Sequence, residues 1–175
     1  SVYSHKKNEW ASHERIGTNL ISPKDYHGNP SILIDREGFL HVFYGGHNKK
    51  MRYSRSSKPL SNDDWQDYTS RLPYTESTYP QLFTMSDGTI YSFYRRKTHR
   101  GNWSYVTSKD NGRTWSREVH VLDGRSPPGN GWYTAFTKDP NRDQIHLLFL
   151  WHASKDNVPH SRRNLYYIQM DHSTG

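Results

Sequence analysis

The chain has 175 residues, of which 31% are hydrophobic, 14% aromatic and 23% charged, and its 24 Lys and Arg against 17 Asp and Glu leave a formal net charge of +7. That is one modest domain, and 13 Tyr, 6 Trp and 6 Phe supply a core despite a mean hydropathy of -1.08, which excludes disorder. No apolar run approaches the roughly 20 residues of a membrane-spanning helix, and the absence of cysteine excludes a disulfide scaffold, a thiolate nucleophile and cysteine-ligated zinc.

The chain begins at Ser1 with no secretory apolar segment behind it and reads as processed or truncated. Gly, Pro, Asn and Asp then interrupt it about every eight to twelve residues, and the stretches between are β-branched or aromatic, which predicts an all-β fold. Ser31 to Asp35 and Phe39 to Tyr44 are predicted strands around a turn at Arg36-Glu37-Gly38, with Met51 to Ser56 as the third. Gln81 to Met85, Thr89 to Tyr94 and Trp103 to Ser108 repeat the plan around Asp87-Gly88. Tyr133 to Thr137, Gln144 to Leu150 and Asn164 to Met170 repeat it again.

Gly38 to Tyr44, Gly88 to Tyr94 and Asp143 to Phe149 lie over one another at a spacing of about fifty residues. A period of that size with three or four short strands per repeat is the mark of propeller blades. The expected blades are four-stranded and antiparallel, at about 20–70, 71–125 and 126–175. Natural propellers use roughly four to eight blades, so about three imply that further blades come from the same or another chain. Ser108-Lys109-Asp110-Asn111-Gly112-Arg113-Thr114-Trp115 matches the Asp-box turn of sialidase-like propellers, a structural device. Ser54 to Trp65 is its degenerate counterpart.

Chemistry is sought at the strand ends of one face, because these converge on a propeller's central channel. His27 precedes the first strand of the first repeat and His47, behind Gly45-Gly46, follows the second. Tyr79 and Arg95 hold the same two places in the second repeat, and Tyr133 and Trp151-His152 in the third. All six positions can face one channel mouth.

These features resemble the ulvan lyases, propeller-type polysaccharide lyases of the BNR-repeat group. The matching pieces are His27-x-x-Pro30-Ser31-Ile32, Asp35-x-x-Gly38-x-Leu40-His41-Val42, Gly46-His47-Asn48 with Tyr53, Thr78-Tyr79-Pro80, Asp87-Gly88, and Phe93-Tyr94-Arg95 before Gly101-Asn102-Trp103. The resemblance implies a seven-bladed propeller of which this chain supplies part, and β-elimination at a uronate of a sulfated algal polysaccharide. It implies His27, His47, Tyr79 and Arg95 as catalytic residues. Arg95 would neutralise the carboxylate with help from His47 and Tyr133, and His27 and Tyr79 would share the base and acid roles, their division left open. A phenol beside a cationic Arg is expected to shift towards deprotonation.

Tyr133, Asn48, Arg96, Trp151 and His152 are the expected substrate contacts. Lys49, Lys50, Lys97 and Arg100 are further candidates for sulfate, and Trp103 and Trp132 for stacking on sugar faces. The positive charge suits an acidic polysaccharide, with neither nucleic acid nor membrane as partner. No cofactor is expected for catalysis; a structural Ca or Zn ion is compatible with a complete propeller. The 11 histidines, His13, His41, His99 and His160 among them, show no metal-ligand spacing. A polymeric substrate places the protein outside the cell, at its surface or in the periplasm. The rival readings are a sialidase-like glycoside hydrolase and a non-catalytic module that binds acidic glycans.

Overall fold

The computed structural model describes residues 3–98, 100–124, 130–153 and 162–174. Its strands in chain order are β1 (Tyr3–Ser4), β2 (Glu9–Trp10), β3 (Ser31–Ile34), β4 (Leu40–Tyr44), β5 (Lys49–Lys50), β6 (Arg52–Ser56) and β7 (Trp65–Asp67), followed by a short 3-10 turn at Thr69–Arg71. Then come β8 (Glu76–Thr84), β9 (Ile90–Arg96), β10 (Trp103–Ser108), β11 (Val119–Leu122), β12 (Asn130–Lys138), β13 (Gln144–Ala153) and β14 (Arg162–Asp171).

Beyond the β1-β2 hairpin these strands make three antiparallel sheets, ordered β3-β4-β6-β7, β11-β10-β9-β8-β5 and β12-β13-β14. The all-β expectation holds, and every expected strand is present. The uniform four-strand plan does not: among the described residues only the first sheet has four. Residues Lys49 and Lys50 leave the first repeat and pair with Ser77 and Glu76 of β8, which gives the second sheet a fifth strand. Met51 then turns its N–H to Thr75 O at 3.0 Å, so the third strand of the first repeat starts one residue later than expected, at Arg52.

Strand alternation decides which residues meet. On β9, Tyr94 faces the first sheet, joining a core of Phe43, Met51, Tyr53, Leu72, Tyr74, Leu82 and Val106. Tyr91 and Phe93 face the third sheet, where Met85 and Ile145 meet them. A third cluster of Trp103, Leu122, Leu147 and Phe149 continues that second interface. Each such side chain contributes roughly 1.5–3 kcal/mol when removed from water, which makes the two inter-sheet seams the main source of cohesion.

Polar clamps fix the seams in register. The Asp110 carboxylate accepts from Ser108 Oγ (2.8 Å), Thr114 N–H (2.8 Å) and Thr114 Oγ1 (2.6 Å), which closes the 108–115 turn and presents Trp115 edge-on to Phe43 and Tyr53 of the first sheet. Gly112 has φ +77°, and a Cβ there would collide with Tyr53 Oη and lie 3.1 Å from His41 Cε1, so only glycine fits. At the other seam Asp143 accepts from Ser86 N–H (2.9 Å) and from the Ser86 hydroxyl, and His172 bridges Tyr91 Oη (2.9 Å) and Asp87 Oδ2 (3.1 Å). The Ser54–Trp65 stretch has no carboxylate doing what Asp110 does; its tryptophan Nε1 donates to Asn62 O at 3.0 Å instead.

Candidate active site

A cavity of about 290 Å³ opens where the sheets meet, lined by His27, His47, Asn48, Tyr79, Arg95, Tyr133 and His152. Seven of the nine residues expected from the sequence are thus gathered in one place. Arg96 and Trp151 are elsewhere, for a reason of period. Arg96 follows Arg95 on β9 and points to the opposite face, where its Nη1 pairs with Glu118 Oε2 at 2.9 Å. Trp151 lies opposite Trp132 in the sheet register, one residue out of phase with His152.

The histidines are delivered from two directions. His27 comes from the loop before β3, where the Asp25 side chain accepts the His27 N–H at 3.1 Å in a tight local turn. His47 stands on the crossing segment between β4 and β5. Gly46 lies so close to β8 that a Cβ there would be 2.7 Å from Ser77 O. Asn48 is then anchored, its N–H donating to Thr78 Oγ1 at 3.0 Å while its Oδ1 accepts from that hydroxyl at 3.2 Å.

Tyr79 occupies a break in the β8-β9 ladder between Thr78 and Gln81. Pro80 has no N–H to offer there, and such prolines are confined to edges and bulges. Tyr79 has a left-handed φ of 58°, uncommon and costly for a bulky residue. The bulge aims the phenol across the cavity, where its ring lies 6.3 Å from the rings of His27 and Tyr133 and is backed at 6.3 Å by the near-parallel indole of Trp103. Burial raises the Tyr79 pKa, and the opposing pull of Arg95 is weaker. The expectation of a phenol drawn towards deprotonation is therefore reversed: burial favours the protonated phenol.

Arg95 is 2% exposed. Its guanidinium carbon lies 4.9 Å from the Tyr79 ring and 6.0 Å from the Tyr133 ring, and Nε and Nη1 have no hydrogen-bond partner among the described residues. No carboxylate pairs with it among those residues. Burial lowers its pKa while Tyr79 and Tyr133 support the charge. Arg55, the other deeply buried arginine, stacks 3.6 Å over Phe39 and has Asp35 at 3.9 Å. Leaving a buried cation uncompensated is costly, so the Arg95 position is one prepared for an anion.

Asp25 is the member of the site that the sequence reading passed over. Its Oδ1 accepts from His27 Nδ1 at 2.7 Å and its Oδ2 from His47 Nδ1, and the two imidazoles stack with centroids 4.2 Å apart and planes 22° from parallel. Hydrogen bonds from His47 and then His27 hold its carboxyl well below the usual range. The only signal in the sequence was an Asp two residues before a His, which is also an ordinary turn.

Asp25, His27 and His47 are the described residues whose ligand atoms come close enough, within 4.8 Å, to consider a metal ion. A metal must lie near the plane of each imidazole that binds it, and two stacked rings do not share such a point without rearrangement. His41 is fully engaged inside the first sheet, and His99 and His160 lie outside the described residues. Trp103 donates Nε1 to Trp132 O at 2.9 Å and is 1% exposed, so it backs Tyr79 and offers no face to a sugar.

An all-β chain whose strand ends surround a His, Tyr and Arg cavity belongs to a defined class: residues 2–174 match the BNR repeat-containing family, and the chain is a member of it. Among characterised relatives, the ulvan lyase of Alteromonas sp. (strain LOR) is 32% identical over 174 residues, covering 87% of this chain and 32% of that protein. The ulvan lyase PL25 of Pseudoalteromonas sp. (strain PLSV) is 28% identical over 99% of this chain and 42% of its own length, and the Nonlabens ulvanivorans ulvan lyase 29% identical over 99% and 43%. The chain therefore spans less than half the length of these relatives. The solved structure of a PL25 ulvan lyase superposes with a TM-score of 0.85 at 30% identity over 99% of this chain and 46% of that one. The same family is also known bound to -[GlcA(1-4)Rha3S]-. A family-43 glycoside hydrolase at 13% identity and TM-score 0.53 shares the fold alone, and these neighbours are propeller-like.

Proposed function

We propose that this chain carries the acid-base centre of a polysaccharide lyase that cleaves ulvan by β-elimination. The observation that carries the proposal is Arg95, a buried guanidinium whose Nε and Nη1 have no hydrogen-bond partner among the described residues and which lines a cavity with three imidazoles and two phenols. The relatives named as ulvan lyases, and the GlcA-Rha3S chain bound to one of them, supply the substrate class.

Arg95 holds the uronate carboxylate, with Tyr133 supporting its charge, and so stabilises the negative charge that builds when C5 loses its proton. His27 takes that proton through a ring nitrogen. The C5–H electron pair becomes the C4–C5 double bond, the C4–O bond breaks, and Tyr79, a phenol whose burial opposes ionisation, gives its proton to the departing oxygen. Proton return from His27 to Tyr79 restores the resting state. His47, Asn48 and His152 complete the walls.

Arg96 belongs to a separate cavity of about 560 Å³ lined by Lys97, Arg100, His120 and Glu118 as well, where the basic groups outnumber the one carboxylate and suit a sulfate of the polymer. Trp151 has no place in the chemistry. The three sheets are read as blades of a larger propeller, the 108–115 turn as its Asp box, and the substrate's size as a reason for work outside the cell or in the periplasm; a structural Ca or Zn ion would belong to the remaining blades. The glycoside hydrolase reading lacks support at the site, whose cavity lining has a single arginine and whose carboxylate, Asp25, is engaged by both His27 and His47.

His27→Ala and Tyr79→Phe are expected to abolish the ultraviolet absorbance of the unsaturated product on ulvan while circular dichroism stays that of the parent. Full activity in both variants overturns the mechanism. Cleavage products lacking the double bond would return the hydrolase reading, and ulvan binding with no cleavage the non-catalytic one.

A further inference from the structure

We infer that Asp25 is the positioning residue of this site: one carboxylate that sets the tautomer of both imidazoles and limits the pair to a single added proton. The inference rests on the lyase reading for its catalytic half and on hydrogen-bond geometry for the rest.

Asp25 uses both oxygens. Oδ1 receives the His27 N–H and His27 Nδ1, the latter at 2.7 Å, and Oδ2 receives His47 Nδ1. An ionised carboxylate only accepts, so both Nδ1 atoms must be the protonated ones. Each ring is then left with a lone pair on Nε2, the form a general base needs. No backbone carbonyl does this for either ring among the described residues, so removing the carboxylate frees both tautomers at once.

The proton count follows from the same contacts. One carboxylate and two neutral imidazoles carry a net charge of −1. A proton taken onto one Nε2 makes an imidazolium beside a carboxylate, net 0 and favourable. A second would put two cations face to face at 4.2 Å against one anion, with the Arg95 cation lining the same cavity. The pair therefore accepts one proton, the one that leaves C5, and resists a second. The other titratable groups lining the cavity are Tyr79, Tyr133 and His152. None of these is a carboxylate, so Asp25 is the anion that offsets the transferred proton.

Asp25→Asn makes a specific demand. The amide oxygen can accept from one Nδ1–H only, while its NH2 can serve the other ring only if that Nδ1 carries a lone pair. One imidazole must switch tautomer and present Nε2–H to the cavity. In nitrogen-15 spectra of histidine-labelled protein, without substrate, the parent is expected to show Nδ1–H on both His27 and His47, and Asp25→Asn on one of them. With ulvan, Asp25→Asn and Asp25→Ala are expected to lose about 10²-fold in kcat, the scale of losing a partner that orients a functional histidine, with KM little changed and the acidic limb of the pH profile displaced. Asp25→Glu, which restores a carboxylate, is expected to recover part of the rate. A purely structural role would lower the active fraction without moving tautomers or the pH profile. An active parent whose Asp25→Asn variant keeps its kcat and pH profile overturns the inference and leaves the lyase reading standing. A tautomer switch in Asp25→Asn alongside a parent that yields no unsaturated product overturns the lyase reading instead.

Discussion

Two clusters made from the same kinds of group lie close together in the first third of the chain. Around His41, Asp35 takes Nε2 at 2.9 Å and Tyr53 takes Nδ1 at 2.7 Å, all three side chains being buried inside the first sheet. Around His27 and His47, Asp25 takes one nitrogen of each ring and leaves the other facing a cavity. The closed cluster has no valence left for a ligand, and burial lowers the His41 pKa and raises that of Tyr53. Residue types therefore do not mark a reactive site; unspent hydrogen-bonding capacity at an accessible surface does. Arg55 and Arg95 both keep N–H groups without a partner among the described residues, and what separates them is that Arg55 has the Asp35 carboxylate at 3.9 Å whereas Arg95 lines the cavity.

The largest expected effects test that distinction directly. Arg95→Met, which keeps the volume and removes the cation, is expected to reduce kcat on ulvan by about 10²–10³-fold, the scale for losing a preorganised electrostatic donor, with the denaturation midpoint unchanged or raised because an uncompensated buried charge has gone. Gly112→Ala is the converse. Its methyl group would collide with Tyr53 Oη at a left-handed φ, for a loss of about 2–4 kcal/mol in urea unfolding and unchanged kcat per folded molecule. Tyr53→Phe leaves His41 Nδ1 without its partner and is expected to cost about 1–2 kcal/mol in the same assay, again with kcat intact. If either structural variant altered the pH profile of catalysis, the two clusters would be coupled and the division between them lost.

The smallest effect is a slope against pH. His41 has a folded pKa below its ordinary value of 6.5 because burial disfavours the cation. The unfolded chain then binds the proton more readily, so its contribution is complete above pH 6.5 and is lost as the pH falls towards the folded value. Urea midpoints taken between pH 7.5 and 5 should decline with a limiting slope of about 1.4 kcal/mol per pH unit for one proton, and the decline should flatten in His41→Asn. A second loss at lower pH belongs to Asp87. Burial acts to raise its carboxyl, but hydrogen bonds from Thr89 and His172 prevail and bring it down to about 2, so that contribution disappears as the pH falls from about 4 towards 2.

Much of the fold was legible because alternating aromatic strands and Asp-Gly turns are local signals. The strand centres follow the hydrophobic period, and Asp35 and Asp87 cap their turns by accepting N–H groups two residues on, at 3.0 and 2.8 Å. What local signals could not reveal was where a two-residue strand would pair. Lys49-Lys50 has no hydrophobic pattern, and its partner lies nearly thirty residues away in another repeat. At the site, equivalent places in successive repeats were enough to collect His27, His47, Tyr79, Arg95, Tyr133 and His152. Arg96 was set beside Arg95 by adjacency in sequence, which in a strand means opposite faces. Asp25 escaped notice because an acceptor in a loop earns no periodicity, and the Tyr79 bulge because only Pro80 announced it.

The passage of residues 45–50 from one sheet to the next would give the proposed catalysis a dependence on the seam it crosses. His47 is carried on a tether fastened at one end to β4 and at the other to β8 through Asn48 and the β5 pairing. A partial parting of the sheets would therefore disassemble the reactive groups while each sheet kept its own ladder. Turnover should fade on warming before the circular dichroism does, and amide deuteration at Asn48 and Lys50 should keep pace with the fading.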